Sequence, residues 1–523
     1  MPVVQAGTLN TTALVVPDLY VQVVPPQNLV LNGVPTNVVG MVGSASWGPV
    51  NQPVVVGTMA DYARSFGGIV ARRSDMGTQI ATAVQQGAQA FRCVRVTDGT
   101  DLAASNAIGV TVRDFGVLFV ARYSGVVGNQ VSVSLSPGSA VGTWRLTIGL
   151  LGQVAESFDN LPAPSSVALW TAITAAVNTG LGALRGPSQL VIASAGTSVA
   201  IPVAVQQLPL IGGTDGAAGV TPAVLVGRDG ALRAGMYALR GQGCSLLVLA
   251  DADDSTTWTS QAGFALQEGL YAILTGPSGQ AIGDAVALKA SAGLDSYGAK
   301  LMFGDWVYWA DPVGGTVRLV SPQGFVAGRL ANLSPEQSSL NKPLYGVVGT
   351  QRAGLPGSAQ ASGYSSAELA QLLGAGLDVI SNPQPGGAFW GVRGGHNSSS
   401  QQAVSGDNYT RLTNYLAATL SAGMGQYVGQ VITGGLFRRV RSTQLSYLQA
   451  LLGQGVLGTT DGSLPFTVIC DASNNPQSRT SLGYVQSDAQ IQYQAINEKF
   501  IVNLEGGQTV QVTRQTLPSG QIN

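Results

Sequence analysis

VVGMVGSASWGPVNQPVVVGT, residues 38–58, carries the key to the fold. Two short β-branched runs, VVGMVGSA (38–45) and PVVVGT (53–58), flank Gly48, Pro49 and Asn51, residues that turn a chain between strands. Apolar residues then recur at helical spacing over 74–90, and a further strand-like run, AFRCVRV (90–96), follows. Strands alternating with a helix predict the start of an α/β layer fold.

Upstream, ALVVPDLYVQVV (13–24) is β-branched and aromatic and stops at Pro25-Pro26, which predicts an extended arm ahead of the first domain. A terminal strand without a hairpin partner has to pair elsewhere. The stretch 19–60 carries no charge, but Pro25, Pro26, Pro35, Pro49 and Pro53 would break any membrane helix in it. Downstream, residues 101–216 change character: GVLFVARY, NQVSVSLS, TWRLTIGL and SQLVIAS alternate, with one helix-like piece at 167–177, and the loop IGGTDG (211–216) closes a mainly β insertion.

Helix and strand alternation resumes with helices expected over 221–233 and 258–273, the strand CSLLVLAD between them, and KLMFGDWVYW after. Ser365 and Glu368 stand at capping-box spacing ahead of a helix over 365–373 that Gly374 ends. The polar loop GGHNSSSQQAVSGDN (394–408) is expected to be mobile or to lie in an interface. Apolar three-and-four spacing predicts helices over 409–420 and 443–452; FTVIC, IQYQ, KFIVNL and QTVQVTRQ then read as strands, the last alternating Val510 and Val512 with polar neighbours.

The composition bears on function. Lys+Arg number 26 and Asp+Glu 27 in 523 residues, 10% of the chain, where soluble domains run near ~25%. A globule of 53.4 kDa would expose on the order of 18,000 Å², or one charge per ~340 Å² instead of the usual ~140 Å². Such a surface, at formal net charge -1, suits a subunit covered by other subunits. It argues against nucleic acid as a main partner, since phosphate binding needs clustered Lys and Arg. Cys93, Cys244 and Cys470 lie far apart with no CxxC, so reduced buried thiols are expected, with neither disulfides nor zinc. No Lys or Arg precedes Arg64, so no secretory n-region is read and a cytoplasmic site of synthesis is expected.

The search for chemistry is mostly negative. The one histidine, His396, sits in a Gly- and Ser-rich loop without a nucleophile elbow nearby. Asp251, Asp253 and Asp254 lack the turn glycine and twelfth-position Glu of a calcium loop and read as helix-capping acids. Gly453, Gly455 and Gly458 match G-x-G-x-x-G but end a helix, where a dinucleotide site would begin one. No phosphate-loop motif is present. The expectation is a protein that is not an enzyme, with no catalytic residue, metal or cofactor. The dense basic group Arg438, Arg439 and Arg441, in LFRRVRS, reads as a patch facing a protein partner.

Several segments, in order, resemble the sheath proteins of contractile phage tails. PDLYV (17–21) is similar to a terminal P-G-V-Y-V strand, with Asp18 in place of Gly. Gly40, Gly43, Gly48, Pro49, Asn51 and Pro53, then Phe66-Gly67-Gly68, match a G-x-x-G-x-x-x-x-G-P-x-N-x-P signature. ARYSGVVGNQVSVSL (121–135), ESFDNL (156–161) and LIGGTDG (210–216) are similar to an inserted domain and its closing loop. SPQGFVAGRLAN (321–332) and GAFWGVRGG (387–395) resemble two further segments, with Gln323 and Gly394 as the departures.

The resemblance implies an α+β / α/β multidomain chain: an α/β core with a mainly β inserted domain, and a C-terminal α+β domain with extended terminal β arms. The expected division is 1–22 N-terminal arm, 23–100 and 217–385 α/β sheath domain, 101–216 inserted outer domain, 386–505 tube-facing polymerisation domain and 506–523 C-terminal arm. Arms carrying Tyr20, Val21, Val23, Val510 and Val512 would add strands to sheets of neighbouring copies, hinged at Pro25-Pro26 and Gly506-Gly507. Arg438, Arg439 and Arg441 would face the tube. The implied assembly is a helical array of hexamers around an inner tail tube protein, bounded by baseplate and tail terminator proteins, with no direct membrane insertion. It would form in the bacterial host cytoplasm, belong to a virion tail, and contract to drive the tube through the host envelope. A capsid-like shell subunit and a cytoplasmic hydrolase remain the alternatives.

Overall fold

The computed structural model describes residues 31–112, 114–183, 185–358, 363–504 and 506, together with the backbone of 3–4 and 21–22. At its centre is a six-stranded sheet in the order Ala299–Met302, Tyr271–Thr275, Leu246–Leu249, Val38–Gly43, Ala90–Arg95, Pro53–Val56. The first five run parallel, and Pro53–Val56 closes the edge antiparallel to Ala90–Arg95. Strands buried on both faces read as continuous apolar runs, and alternate residues part to separate cores. Val39, Met41, Val248 and Ile273 lie in one cluster; Val42, Leu247, Leu249 and Leu274 lie in the other.

Helices Met76–Gln85 and Gln323–Ala331 cover the first face, and Trp258–Glu268, Ile282–Ser291 and Ser366–Gly374 cover the second. The first pair touches through glycine: a Cβ on Gly328 would stand 2.5 Å from the Ala83 backbone. Gly328→Val is therefore expected to push the two helices apart and to lower stability by about 3 kcal/mol, read as the shift of the first calorimetric unfolding transition.

Residues 105–209 contain two antiparallel sheets and the helix Ser166–Thr179 around their own core, which includes Phe119, Leu146, Phe158 and Trp170. One sheet orders Val191–Ala195, Val117–Ala121, Ser105–Ile108; the other orders Glu156–Pro162, Thr143–Gly149, Ser132–Pro137, Val205–Pro209. The fully buried Arg95 holds this part to the α/β core, donating to the carbonyls of Gly48 (2.9 Å), Ser124 (2.7 Å) and Asp215 (3.2 Å). The Asp215 carboxylate pairs with Arg72 (2.5 Å) and accepts from Ser46 Oγ and Val126 N.

Beyond 406, helices Asp407–Met424 and Gly434–Gly453 pack with the two-stranded pairing of Phe466–Ile469 and Asp488–Ile491 around Leu416, Leu448, Leu451 and Val468.

Local signals held where they were local. Ser365 caps its helix in a reciprocal capping box with Glu368, and 166–179 is a helix. Others were overridden. The helix expected over 221–233 is only Pro222–Val226, because Gly227 turns left-handed (φ 70°) and Arg228 pairs back to Ala234. The helix expected over 258–273 stops at Glu268: Gly269 takes a left-handed cap (φ 68°), and Tyr271–Thr275 is a buried parallel strand. The C-terminal helix begins at Gly434 under a Thr433 cap, so LFRRVRS is helical. KFIVNL forms no strand; residues 501–504 are unpaired within the described chain.

Candidate assembly interface

The C-terminal helices are seated on the sheet by a buried ionic cluster. Lys300, on the edge strand Ala299–Met302 and 0% exposed, donates to Asp378 Oδ2 (2.6 Å), Asp407 Oδ1 (3.1 Å) and the carbonyl of His396 (2.9 Å). Asp407, the first residue of its helix, also accepts from Tyr271 Oη (2.6 Å) and Ser339 Oγ. Burial by itself would drive the Lys300 ammonium to release its proton, but the two carboxylates outweigh it and hold its pKa above the ordinary value. Burial likewise raises Asp407, and Lys300 with the hydroxyl donors overcomes this, leaving it below the usual carboxylate range.

The two ends of the 394–408 loop, expected to be mobile or interfacial, are folded into this cluster, and its tip, 400–403, is exposed. Asp378 accepts from the amides of Gly394 (2.7 Å) and Gly395 (2.8 Å), and the buried Asn397 donates to Val404 O and Thr410 Oγ1. Part of the loop's polar composition, Asn397 and Ser398 above all, serves buried hydrogen bonds. Sequence reasoning missed Lys300, Asp378 and Asp407. The available signal was a lysine inside the apolar run AKLMF in a chain so poor in charge.

Helix Gly434–Gly453 buries Leu436, Val440, Tyr447, Leu448 and Leu451 and turns Arg438, Arg439 and Arg441 to the surface. None of the three joins an ion pair among the described residues; Arg439 donates to Gln430 Oε1 (2.9 Å). Arg438 and Arg441 border a shallow cleft of about 700 Å³ with Ser442, Leu445 and Gln449.

The Phe466–Ile469 and Asp488–Ile491 pair is a two-stranded sheet, so each strand has an outer edge with backbone groups turned away from its partner. The chain leaving it runs into an apolar stretch that is largely exposed among the described residues: Phe500 is 81% exposed, Ile501 80%, Val502 69% and Leu504 90%. Val21 lies in a two-residue parallel pairing, Val3 with Val21 and Val4 with Gln22. Tyr20, Val23, Val510 and Val512 lie outside the described residues.

The remaining candidates have structural roles. His396 bonds Glu498 through Nε2 (2.7 Å). Asp251 is buried and accepts from Gln79 Nε2 and Ser74 N, Asp253 pairs with Arg73, and Asp254 caps a short 3-10 turn. Gly453 ends its helix and Gly455 follows with φ 75°. Cys93, Cys244 and Cys470 are free, and burial pushes the Cys244 thiol up to about 12. Among the described residues no group of three or more His, Cys, Asp or Glu is placed to hold a metal ion, and no helix is long and apolar enough to cross a membrane.

No protein-family model matches the sequence, and no curated protein does. Solved structures do. The sheath tail protein of Listeria innocua superposes with a TM-score of 0.59 at 16% identity, over 84% of this chain and 89% of that one. That of Desulfitobacterium hafniense gives 0.56 at 16% identity, over 86% and 92%. The contracted-state sheath of an extracellular contractile injection system, PVC, gives 0.53 at 13% identity, over 95% and 98%. This chain has the contractile tail sheath fold. The sheath fold here accounts for nearly the whole chain, including the β-rich part and the C-terminal helices, at an identity where composition and single motifs carry little.

Proposed function

We propose that the chain is the structural subunit of a contractile tail sheath. The observation that carries this reading is the pairing of a sheath fold with a C-terminal stretch, 500–504, whose apolar side chains are left exposed by the described residues of their own copy. In the proposed assembly the copies stack as hexameric rings around an inner tail tube and link through arms that add strands to open sheet edges of neighbours. Main-chain pairing tolerates rotation of whole domains, so such links persist while the lattice passes from an extended to a contracted state. Arg438, Arg439 and Arg441 are proposed to face the tube, and the array is proposed to end on baseplate and terminator proteins in a virion or injection particle built in the bacterial cytoplasm. The energy of contraction is stored at assembly, so the subunit needs no nucleotide site.

Negative-stain microscopy of the purified full chain tests the reading: cross-striated tubes or six-fold rings are expected, whereas closed shells or dispersed particles at high concentration would overturn it. The triple replacement Arg438→Glu, Arg439→Glu, Arg441→Glu tests the tube-facing patch. It is expected to leave arm-linked tubes intact while co-purification of sheath with tube falls at least tenfold, because like charges then meet across the contact.

A further inference from the structure

The base of the C-terminal arm is held at one point. His396 Nε2 bonds Glu498 Oε1 at 2.7 Å, with the two side chains 26% and 38% exposed. His396 is the chain's one histidine, and its mount is rigid: its carbonyl accepts from Lys300 Nζ (2.9 Å) and its amide donates to Asp378 (3.3 Å), so its backbone is fixed by the buried ionic cluster from both sides. The partner is the opposite. Residues 494–498 and Phe500 line an open cleft of about 730 Å³ with Glu336, Leu340, Lys342 and Pro385, without strand pairing among the described residues. The preceding side-chain tether is Asn408 Nδ2 to the carbonyl of Gln494 (3.2 Å). Glu498 is the last described residue whose side chain bonds the body, and the exposed apolar stretch begins two residues later.

We infer that His396 is a positioning residue for the arm, clasping Glu498 so that the apolar stretch 500–504 leaves the body from a fixed point. Without the clasp the last tether retreats to Gln494, and four more unpaired residues add roughly 14 Å of free chain. The arm's end is then spread through a larger volume, and its effective concentration at a neighbouring copy falls. The effect on assembly rests on the sheath reading; the clasp itself does not.

The test separates the two. Lys499 follows the clasp directly, so the rate of trypsin cleavage after Lys499 in the unassembled protomer reads how often the arm base opens. An exposed hydrogen-bonded pair of this kind is expected to slow cleavage about fivefold. His396→Ala should therefore cut about five times faster, with an unchanged melting temperature, and should raise the protein concentration needed for tubes. His396→Lys, which restores a donor to Glu498, should return both to wild-type values. Equal cleavage of wild type and His396→Ala, or faster cleavage that His396→Lys does not reverse, would overturn the clasp. Wild-type protein that forms no tubes while the cleavage ratio holds would overturn the sheath reading and leave the clasp standing.

Discussion

Lys300→Met is expected to lower the stability of the protomer by about 4 kcal/mol and to loosen the C-terminal helices from the sheet before the rest of the core melts. Among the described residues the ammonium is the only positive group bonded to Asp378 and Asp407, in a pocket where all three side chains are essentially inaccessible. Removing it leaves two carboxylates without their counter-charge, which is far worse than never having built the pair. The triple replacement Lys300→Met, Asp378→Asn, Asp407→Asn should recover at least half of the loss. Calorimetry decides between this and a merely decorative lysine: a change under about 1 kcal/mol for the single replacement would mean that water or another cation reaches the pocket.

The same cluster sets a pH window. Asp407 lies below its ordinary value, so it contributes stability above roughly pH 4 that is lost as pH falls through its folded pKa. Lys300 lies above its ordinary value, so its contribution is complete below roughly pH 10.4 and is lost only as pH rises through the folded pKa. Between these limits the joint should be insensitive to pH, and the asymmetry of the melting profile should appear at the acid end first.

How far the fold could be read from the sequence depended on how local each signal was. Ser365 and Glu368 lie three residues apart, so their capping box was legible. The β-branched runs at 38–45 and 90–96 became strands because no helix-forming pattern competes with them. Tyr271–Thr275 was absorbed into the helix before it: a strand buried on both faces has no alternation, and only the left-handed turn at Gly269 separates the two. The cluster around Lys300 was out of reach, since Asp378 and Asp407 stand 78 and 107 residues away in sequence and only the tertiary fold brings them together. The burial of the ends of the 394–408 loop was out of reach for the same reason, Asn397 and Ser398 having buried partners that composition does not reveal. The arms are a different case: among the described residues Phe500 stays exposed, and composition alone does not say what covers it.

Truncation after Glu498 is expected to abolish assembly while sparing the protomer. Among the described residues the segment removed makes no strand pairing and no side-chain bond to the body, so no described hydrogen bond of the folded core goes with it. What is lost is the surface that Phe500, Ile501, Val502 and Leu504 offer to a neighbour. Burying four such side chains contributes roughly 1.5 kcal/mol each, so the association constant should fall by about four orders of magnitude, before counting the backbone pairing lost with them. The two arms are then distinguishable. Deleting residues 1–22 instead should leave 500–504 able to dock, giving short oligomers where the C-terminal truncation gives protomers alone. Sedimentation velocity with microscopy of the same samples reads both, and tubes of ordinary length from the chain ending at Glu498 would mean that copies are joined through their bodies and that the arm has another task.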